Sequence, residues 1–467
     1  MRLWLAVGAL LMLFAGLLAA SSHRFDWELP VRKMPAATLG FAMAAAGVAY
    51  MALLPVIRAS LRLPSAARKH LLALMVAIGV GLRLMVFFGE PALEDDYYRY
   101  MWEGALTANG ISPYAVSQRA AKAAAPDTVV GRLAEEAGPV LARVSHPDMT
   151  STYPPVAQAA FALAYLASPW NLAAWKIVAL AGDAATMVLL LMLLGDAGRS
   201  SLWAALYWWN PIVIKEIANS GHMDAIVTAL VLAALLCGAR QRRIGAVLML
   251  GLAIGSKLWP ALLVPLVLRP LWPRLLPLTA ALALLLTMTA LWLVPAWWHG
   301  LGPDAGYVAY VQHWTTNSAL SPAIESLSRL SLRPFGLEQS AWAAARISAA
   351  LVLGSLALWQ AKSGIAGTPD LMRRAAIVTA SLVLLSPAQF PWYMIWMLPF
   401  LAFRPSLGLL ATTVTVPLYY LAFHLYARHS YAVFRDWVVW AIWAPVWVLL
   451  LVEALSRRTR WARWLRY

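Results

Sequence analysis

Apolar positions in this chain come in long blocks that few charges interrupt, without the alternation or 3.6-residue striping of a soluble domain. Blocks near the length that a helix needs to cross a bilayer, about 20 residues, occupy residues 3–20, 36–57, 71–88, 175–194, 202–218 and 223–238. Others follow at 275–295, 341–360, 375–388, 392–403, 407–426 and 437–455. They predict an all-α polytopic membrane protein with about twelve crossings, and Pro211 is expected to kink the span that holds it. Residues 244–268 are apolar but interrupted by Gly255-Ser256-Lys257 and flanked by arginines, the pattern of a helical hairpin dipping from one side. Residues 156–167 are too short to span and read as an interfacial or re-entrant helix.

Two polar stretches separate the blocks, at 89–172 and 296–340. Within the first, residues 120–144 predict a surface helix. Between Glu90 and Trp170 there are nine acids against five Lys and Arg, an excess suited to an outer face. The cations lie elsewhere, in short turns: Arg58, Arg62, Arg68 and Lys69; Arg240, Arg242 and Arg243; Lys362, Arg373 and Arg374; and a tail bearing Arg457 and Arg458. Under the positive-inside rule these turns and both termini are cytoplasmic, and both polar stretches are outer, periplasmic in a two-membrane bacterium.

Composition agrees. Hydrophobic residues are 62% of 467 and charged residues 12%. The net charge of +16 is spread over membrane-flanking turns, so it anchors helices and forms no nucleic-acid site. A single cysteine, Cys237, excludes an intrachain disulfide or a zinc cluster built on cysteine. The first block is preceded only by Met1-Arg2, a short n-region for a signal peptide, and is expected to be a retained helix.

Chemistry concentrates on the outer side. Glu94-Asp95-Asp96 follows an apolar block directly, where acids are costly. One acid suffices to cap a helix; three suggest a general base among them, and Asp96, Arg99 and Tyr100 share one helical side. Gly110-Ile-Ser-Pro-Tyr114 and Tyr153-Pro-Pro155 are aromatic–proline turns that offer ring faces. Asn210-Pro211 leads to Lys215, Glu216, Asn219, His222 and Asp224 around the outer end of two helices. His222 and Asp224, with His313 as the obvious third, fall short of a zinc or iron ligand set, so hydrogen bonding to a polar substrate is the better reading. Lys257 at the hairpin break either binds a phosphate or snorkels. Gln389-Phe-Pro-Trp392-Tyr393 opens a further outer turn. Asp183 and Arg83 lie deep, and Asp183 must face the interior or a polar partner.

Taken in order, Glu94-Asp-Asp-Tyr-Tyr-Arg99-Tyr, Gly110-Ile-Ser-Pro-Tyr114, Tyr153-Pro-Pro155, Asn210-Pro, Gly221-His-Met-Asp224, Lys257-Leu-Trp-Pro260 and Pro391-Trp-Tyr393 resemble the GT-C membrane glycosyltransferases. The likeness is nearest to the polyprenyl-phosphate-mannose-dependent mannosyltransferases of glycosyltransferase family 87 and to GPI mannosyltransferase I. It covers roughly 83–399 and leaves two N-terminal helices outside. The resemblance implies a GT-C bundle with a catalytic first outer loop. It also implies an inverting transfer of a hexose, mannose in these families, from a polyprenyl-phosphate donor to a lipid-linked or envelope glycan hydroxyl, with no cofactor and no metal. Asp96 would be the base, with Asp95 the alternative within the pair. Lys215, His222 and Arg333 would stabilise the leaving phosphate, and Tyr153, Asn219, Asp224 and Gln389 would bind the sugar. Trp392 and Tyr393 would hold the lipid, with Arg99, Tyr114, Lys257 and His313 also lining the site. Membrane lipids and the two substrates are the expected partners.

The organisation that follows is two N-terminal helices and a basic loop at 1–70, a catalytic module at 71–405, and C-terminal helices with a basic tail at 406–467. Two other readings compete. A lipid-linked glycan flippase or transporter would place charges near the midplane in paired halves, where only Asp183 and Arg83 lie deep. An O-antigen ligase or polymerase would rely on a large later loop rich in Arg and His.

Overall fold

A computed structural model describes residues 1–300, 302 and 304–456, with the side chain of His313 outside the described residues. The basic tail read from the sequence lies outside them too. The described residues form helices and turns with no strand, and one isolated bridge joins Thr316 to Ala388.

Among the described residues, eight helices are long and apolar enough to cross a membrane: Arg2–Phe25, Ala36–Ser60, Ser65–Phe87, Leu172–Asp196, Leu275–Trp298, Glu338–Ala361, Leu407–Tyr426 and Tyr431–Ser456. A ninth is possible where Pro211–Asn219 and Asp224–Ala239 meet at a bend of 116°. Eight or nine such helices do not reach the expected count of about twelve, and the reasons are local. The blocks at 202–218 and 223–238 form that one bent pair, not two straight crossings. Residues 392–403 fold as the short turns Pro391–Trp396 and Leu398–Leu401, where Pro391 and Pro399 remove backbone donors. Gly367–Leu385 is a continuous helix, but its first turns carry Asp370, Arg373 and Arg374. The expected surface helix at 120–144 is likewise cut into Gln118–Lys122, Val129–Ala137 and Pro139–Ala142, broken at Pro126 and at Gly138, whose φ is +48°.

The break at the bend is built from sequence. Ile214–Asn219 widens into a π-helical turn, and Gly221 follows with φ +74°. A Cβ on Gly221 would stand 3.2 Å from the Trp175 ring, and its carbonyl accepts the Trp175 indole N–H at 2.6 Å. Glycine meets both demands, backbone hand and space. The interruption expected at Lys257 is present: Arg243–Ser256 ends there in extended backbone, before the apolar segment Trp259–Leu271.

Deep in the bundle Arg83 pairs with Asp183, Tyr207 donates to the same carboxylate at 2.7 Å, and the guanidinium lies over the Trp208 ring. Asp183 thus faces a polar partner, as its position demanded. The first polar stretch continues into the helix Asp96–Ala108, which packs along the short apolar helix Pro155–Ala167. The second polar stretch closes against the first, where Thr150 N donates to Asp304 O and Tyr114 stacks on Tyr307, and it is tied to the later turn by Gln389 N donating to Thr316 O.

Candidate active site

The acidic run is fastened before it reaches its first helix. Asn219 Oδ1 accepts from Ala92 N at 2.9 Å, and its amide nitrogen donates to Glu90 O at 3.0 Å. Glu94 then performs the capping expected of an acid here: Oε1 accepts from Asp95 N at 3.1 Å and Asp96 N at 2.9 Å, covering the first amides of the Asp96–Ala108 helix. Its other oxygen meets His222 Nε2 at 2.7 Å. Burial works against the Glu94 carboxylate, but His222, Lys215 and the Asp96 amide outweigh it and hold the group below the ordinary range.

Behind Glu94 lies a closed polar set. Glu216 Oε2 stands 3.1 Å from Lys215 Nζ and 3.6 Å from His222 Nε2, and Tyr420 bridges Glu216 at 2.6 Å and Lys215 at 2.5 Å. Two carboxylates face one ammonium and one imidazole, and the imidazolium form balances the set. Arg99 pairs with Glu103 at 3.3 Å and holds the carbonyls of Ser145 and His146, while Glu103 accepts from Ser151 at 2.6 Å and Gln158 at 2.7 Å. Asp224 Oδ1 accepts from Lys257 Nζ at 2.8 Å and Trp396 Nε1 at 2.6 Å.

Every acid of the cluster is then matched except two. Among the described residues, Asp95 and Asp96 have no ion-pair partner. Both are partly open to the site although densely surrounded by protein. Burial, Glu94 and Asp96 push Asp95 up to about 8, against the pull of Arg99. Burial and Glu94 push Asp96 up to about 6, moderated by His222, Arg99 and Lys257. Asp96 Oδ2 receives the hydroxyls of Tyr100 and Tyr153, each at 3.4 Å, and Tyr100 is packed on Phe161. A second wall is aromatic: Trp392 stacks on His222 at 4.0 Å, Tyr393 on Trp396 at 4.2 Å, and Tyr310 shares a 2.6 Å hydrogen bond with Tyr393. Lys257 stands 4.7 Å over the Tyr393 ring with 20% of its side chain exposed.

The structure brings Asp95, Asp96, Tyr153, His222, Asp224, Lys257, Trp392 and Tyr393 into this cluster and corrects several expected roles. Lys215 and His222 are fully buried and already engaged, so neither offers its charge to a leaving phosphate. Arg333 is exposed beyond the Leu320–Leu332 helix, and its side chain makes no ion pair or hydrogen bond among the described residues. Asn219 pins the acidic run, Arg99 clamps the loop, and Tyr114 donates to Tyr153 O at 2.7 Å. Gln389 donates to the terminal carbonyls of Val383 and Leu384. These four hold the site's frame; both ends of the Asn219 amide and the nitrogen of the Gln389 amide are spent on backbone, while Gln389 Oε1 is buried without a hydrogen-bond partner. The side chain of His313 lies outside the described residues. Glu94, Tyr100 and Glu216 stand inside the sequence motifs without an assigned role, and Trp396 and Tyr420 fall outside them.

Two groups bring three ligand atoms each within 4.8 Å, Glu94–Glu216–His222 and Glu94–Asp95–Asp96. The first already holds the Lys215 ammonium beside Glu216. In the second, Asp95 and Asp96 have no ion-pair partner among the described residues.

Residues 3–274 match the family model described as alpha-(1->6)-mannopyranosyltransferase, N-terminal domain, of the MptA/B family. That is more than half of the chain. The protein belongs to this mannosyltransferase family. No curated protein and no solved structure matches it. The resemblance to GT-C mannosyltransferases is upheld, with one correction: the match begins at residue 3, so the two N-terminal helices thought to lie outside it are part of the matched domain. The mannosyltransferase match includes the acidic run, Tyr153, His222, Asp224 and Lys257. Trp392, Trp396 and Tyr420 come from the remainder of the chain.

Proposed function

We propose that the protein transfers mannose from a polyprenyl-phosphate donor to a hydroxyl of a lipid-linked or envelope glycan, on the outer face of the cell membrane and with both termini inside. Asp96 is the general base. The observation that carries the assignment is the charge balance: Asp95 and Asp96 are the acids that the cluster leaves unmatched, and they stand where it opens.

In the reaction the acceptor oxygen attacks the anomeric carbon from the face opposite the phosphate. The new C–O bond forms as the bond to the phosphate oxygen breaks, and the hydroxyl proton passes to Asp96. Polyprenyl phosphate leaves, and the anomeric configuration inverts. A base must be ionised to take a proton. With a pKa near 6 Asp96 meets that condition at neutral pH, whereas Asp95 near 8 does not. Asp224 Oδ2 is buried without a hydrogen-bond partner and suits a sugar hydroxyl. Lys257, partly exposed, takes the role expected of Lys215, His222 and Arg333 in meeting the developing phosphate charge. The family's alpha-(1->6) description favours a primary C6 hydroxyl as acceptor. A flippase reading finds less support, because the deep pair Arg83 and Asp183 is closed on itself.

The test supplies purified protein with radiolabelled polyprenyl-phosphate mannose and a membrane lipid extract, with and without chelator. Transfer by wild type that is lost in Asp96→Asn supports the reading, and full transfer by Asp96→Asn sinks it. Loss of wild-type transfer with chelator would assign a metal to Glu94, Asp95 and Asp96.

A further inference from the structure

At the end of the bundle opposite the acidic site is a cavity of about 210 Å³. The Asp224–Ala239 helix connects the two: Asp224 belongs to the site, and Gly238 and Ala239 line the cavity. Its 16 residues rise about 24 Å. The segment Trp259–Leu271 makes the same journey, from beside Lys257 to Arg269. The cavity walls are apolar, with Leu235, Leu266, Val267 and Ile365 among them, and Arg269 is the one cation among the described residues that lines it.

Arg269 makes no side-chain hydrogen bond or ion pair with any described residue; its Nε is buried without a partner, and its guanidinium leans on Trp272. The acids of this face are already engaged. Asp196 pairs with Arg240, and Asp370 pairs with Arg373 and Arg374. Arg242, Arg274 and Lys362 remain exposed around it, each without an ion-pair partner among the described residues. The rim is also preformed, since Arg374 donates to the carbonyls of Gln360, Ser363 and Gly364 and fixes the turn that closes the cavity.

The geometry points to a binding site for an anionic phospholipid, its phosphate on Arg269 and its apolar portion in the cavity. Enclosing the Nε of a half-buried arginine beside apolar walls with no acceptor leaves that donor unsatisfied, and a phosphate takes guanidinium donors in pairs. Unmatched cations around the mouth complement a negative headgroup, and a basic pocket between membrane helices is where such headgroups bind. A zwitterionic headgroup would bring a second positive charge into that ring.

The full-length protein in detergent would be titrated with phosphatidylglycerol, phosphatidylcholine, inorganic phosphate and polyprenyl phosphate, and retained ligand read by native mass spectrometry. Phosphatidylglycerol should be held about tenfold better than phosphatidylcholine, and Arg269→Gln should remove most of that preference. Gly238→Leu is a second variant: a Cβ there meets nothing within 4 Å, so the side chain enters the cavity without displacing backbone. It should lower retention with no loss of thermal stability. Arg62→Gln, an exposed cation outside the cavity, should change nothing. Equal retention of both phospholipids, or of phosphatidylglycerol by wild type, Arg269→Gln and Gly238→Leu, overturns the proposal. So does an Arg269-dependent preference for inorganic phosphate or polyprenyl phosphate over phosphatidylglycerol.

Discussion

Asp95 and Asp96 are neighbours in sequence with the same side chain, yet their surroundings separate them by about two pKa units, near 8 and near 6. Asp95 is raised by both Glu94 and Asp96, while Asp96 is relieved by His222 and Lys257 as well as Arg99. The separation assigns different chemistry to each at neutral pH. Asp96→Asn should lower kcat by about 10²–10⁴, the range for loss of a general base, and Asp95→Asn by less than about tenfold; initial rates of mannosyl transfer check both. The base must be deprotonated and its pKa is raised, so activity is lost as pH falls through about 6 and is flat above it. A kcat/KM profile that stays flat down to pH 4.5 would contradict this. Asp224→Asn keeps the shape of the group but loses the lone pairs proposed for a sugar hydroxyl. It should raise KM for the donor more than it lowers kcat, and steady-state kinetics with the labelled donor would show the split.

The Asp96–Ala108 and Pro155–Ala167 helices show how the elements hold the base. Gly104 lets them touch: a Cβ there would come within 2.5 Å of the Phe161 carbonyl oxygen, and backbone cannot retreat as a side-chain tip can. Gly104→Ala should therefore destabilise by about 1–3 kcal/mol and lower activity, as Tyr153 and Phe161 move away from Asp96; thermal unfolding in detergent and transfer rates would be read together. Much at this scale was legible in the sequence. The short apolar helix and the break at Lys257 follow from run length and from the penalty on charge near hydrocarbon. What was not legible depends on distant partners. Lys215 reads as a free cation until Tyr420, 205 residues later, is found beside it, and Asn219 reads as a sugar ligand until Ala92 is found on its oxygen. Residues 392–403 look like a span by hydropathy, but two prolines leave too few backbone donors for a continuous helix.

At the scale of the whole molecule, four sets of buried charge are balanced among the described residues: Arg83 with Asp183, Arg99 with Glu103, Lys257 with Asp224, and Lys215 and His222 with Glu216 and Glu94. Lys176, by contrast, is buried on the carbonyls of Phe87 and Gly89 with no ion-pair partner among the described residues. Breaking one member of a buried set strands its partner, a loss of about 3–5 kcal/mol where both charges are enclosed. Glu216→Gln should thus lower thermal stability by that order, and it should reduce transfer as well, because the His222–Glu94 contact that caps the Asp96 helix depends on the same balance. A normal melting temperature for Glu216→Gln would argue that the set is not balanced as drawn. The arrangement also has a genetic consequence. In a strain dependent on this protein, growth impaired by Glu216→Gln should be restored chiefly by second changes at Lys215 or His222 that remove the surplus positive charge, with almost none arising in the other three sets. Suppressors of a lesion at Asp183 should fall at Arg83 by the same rule, so a map of compensating mutations would reproduce the partition of the interior without any structural measurement.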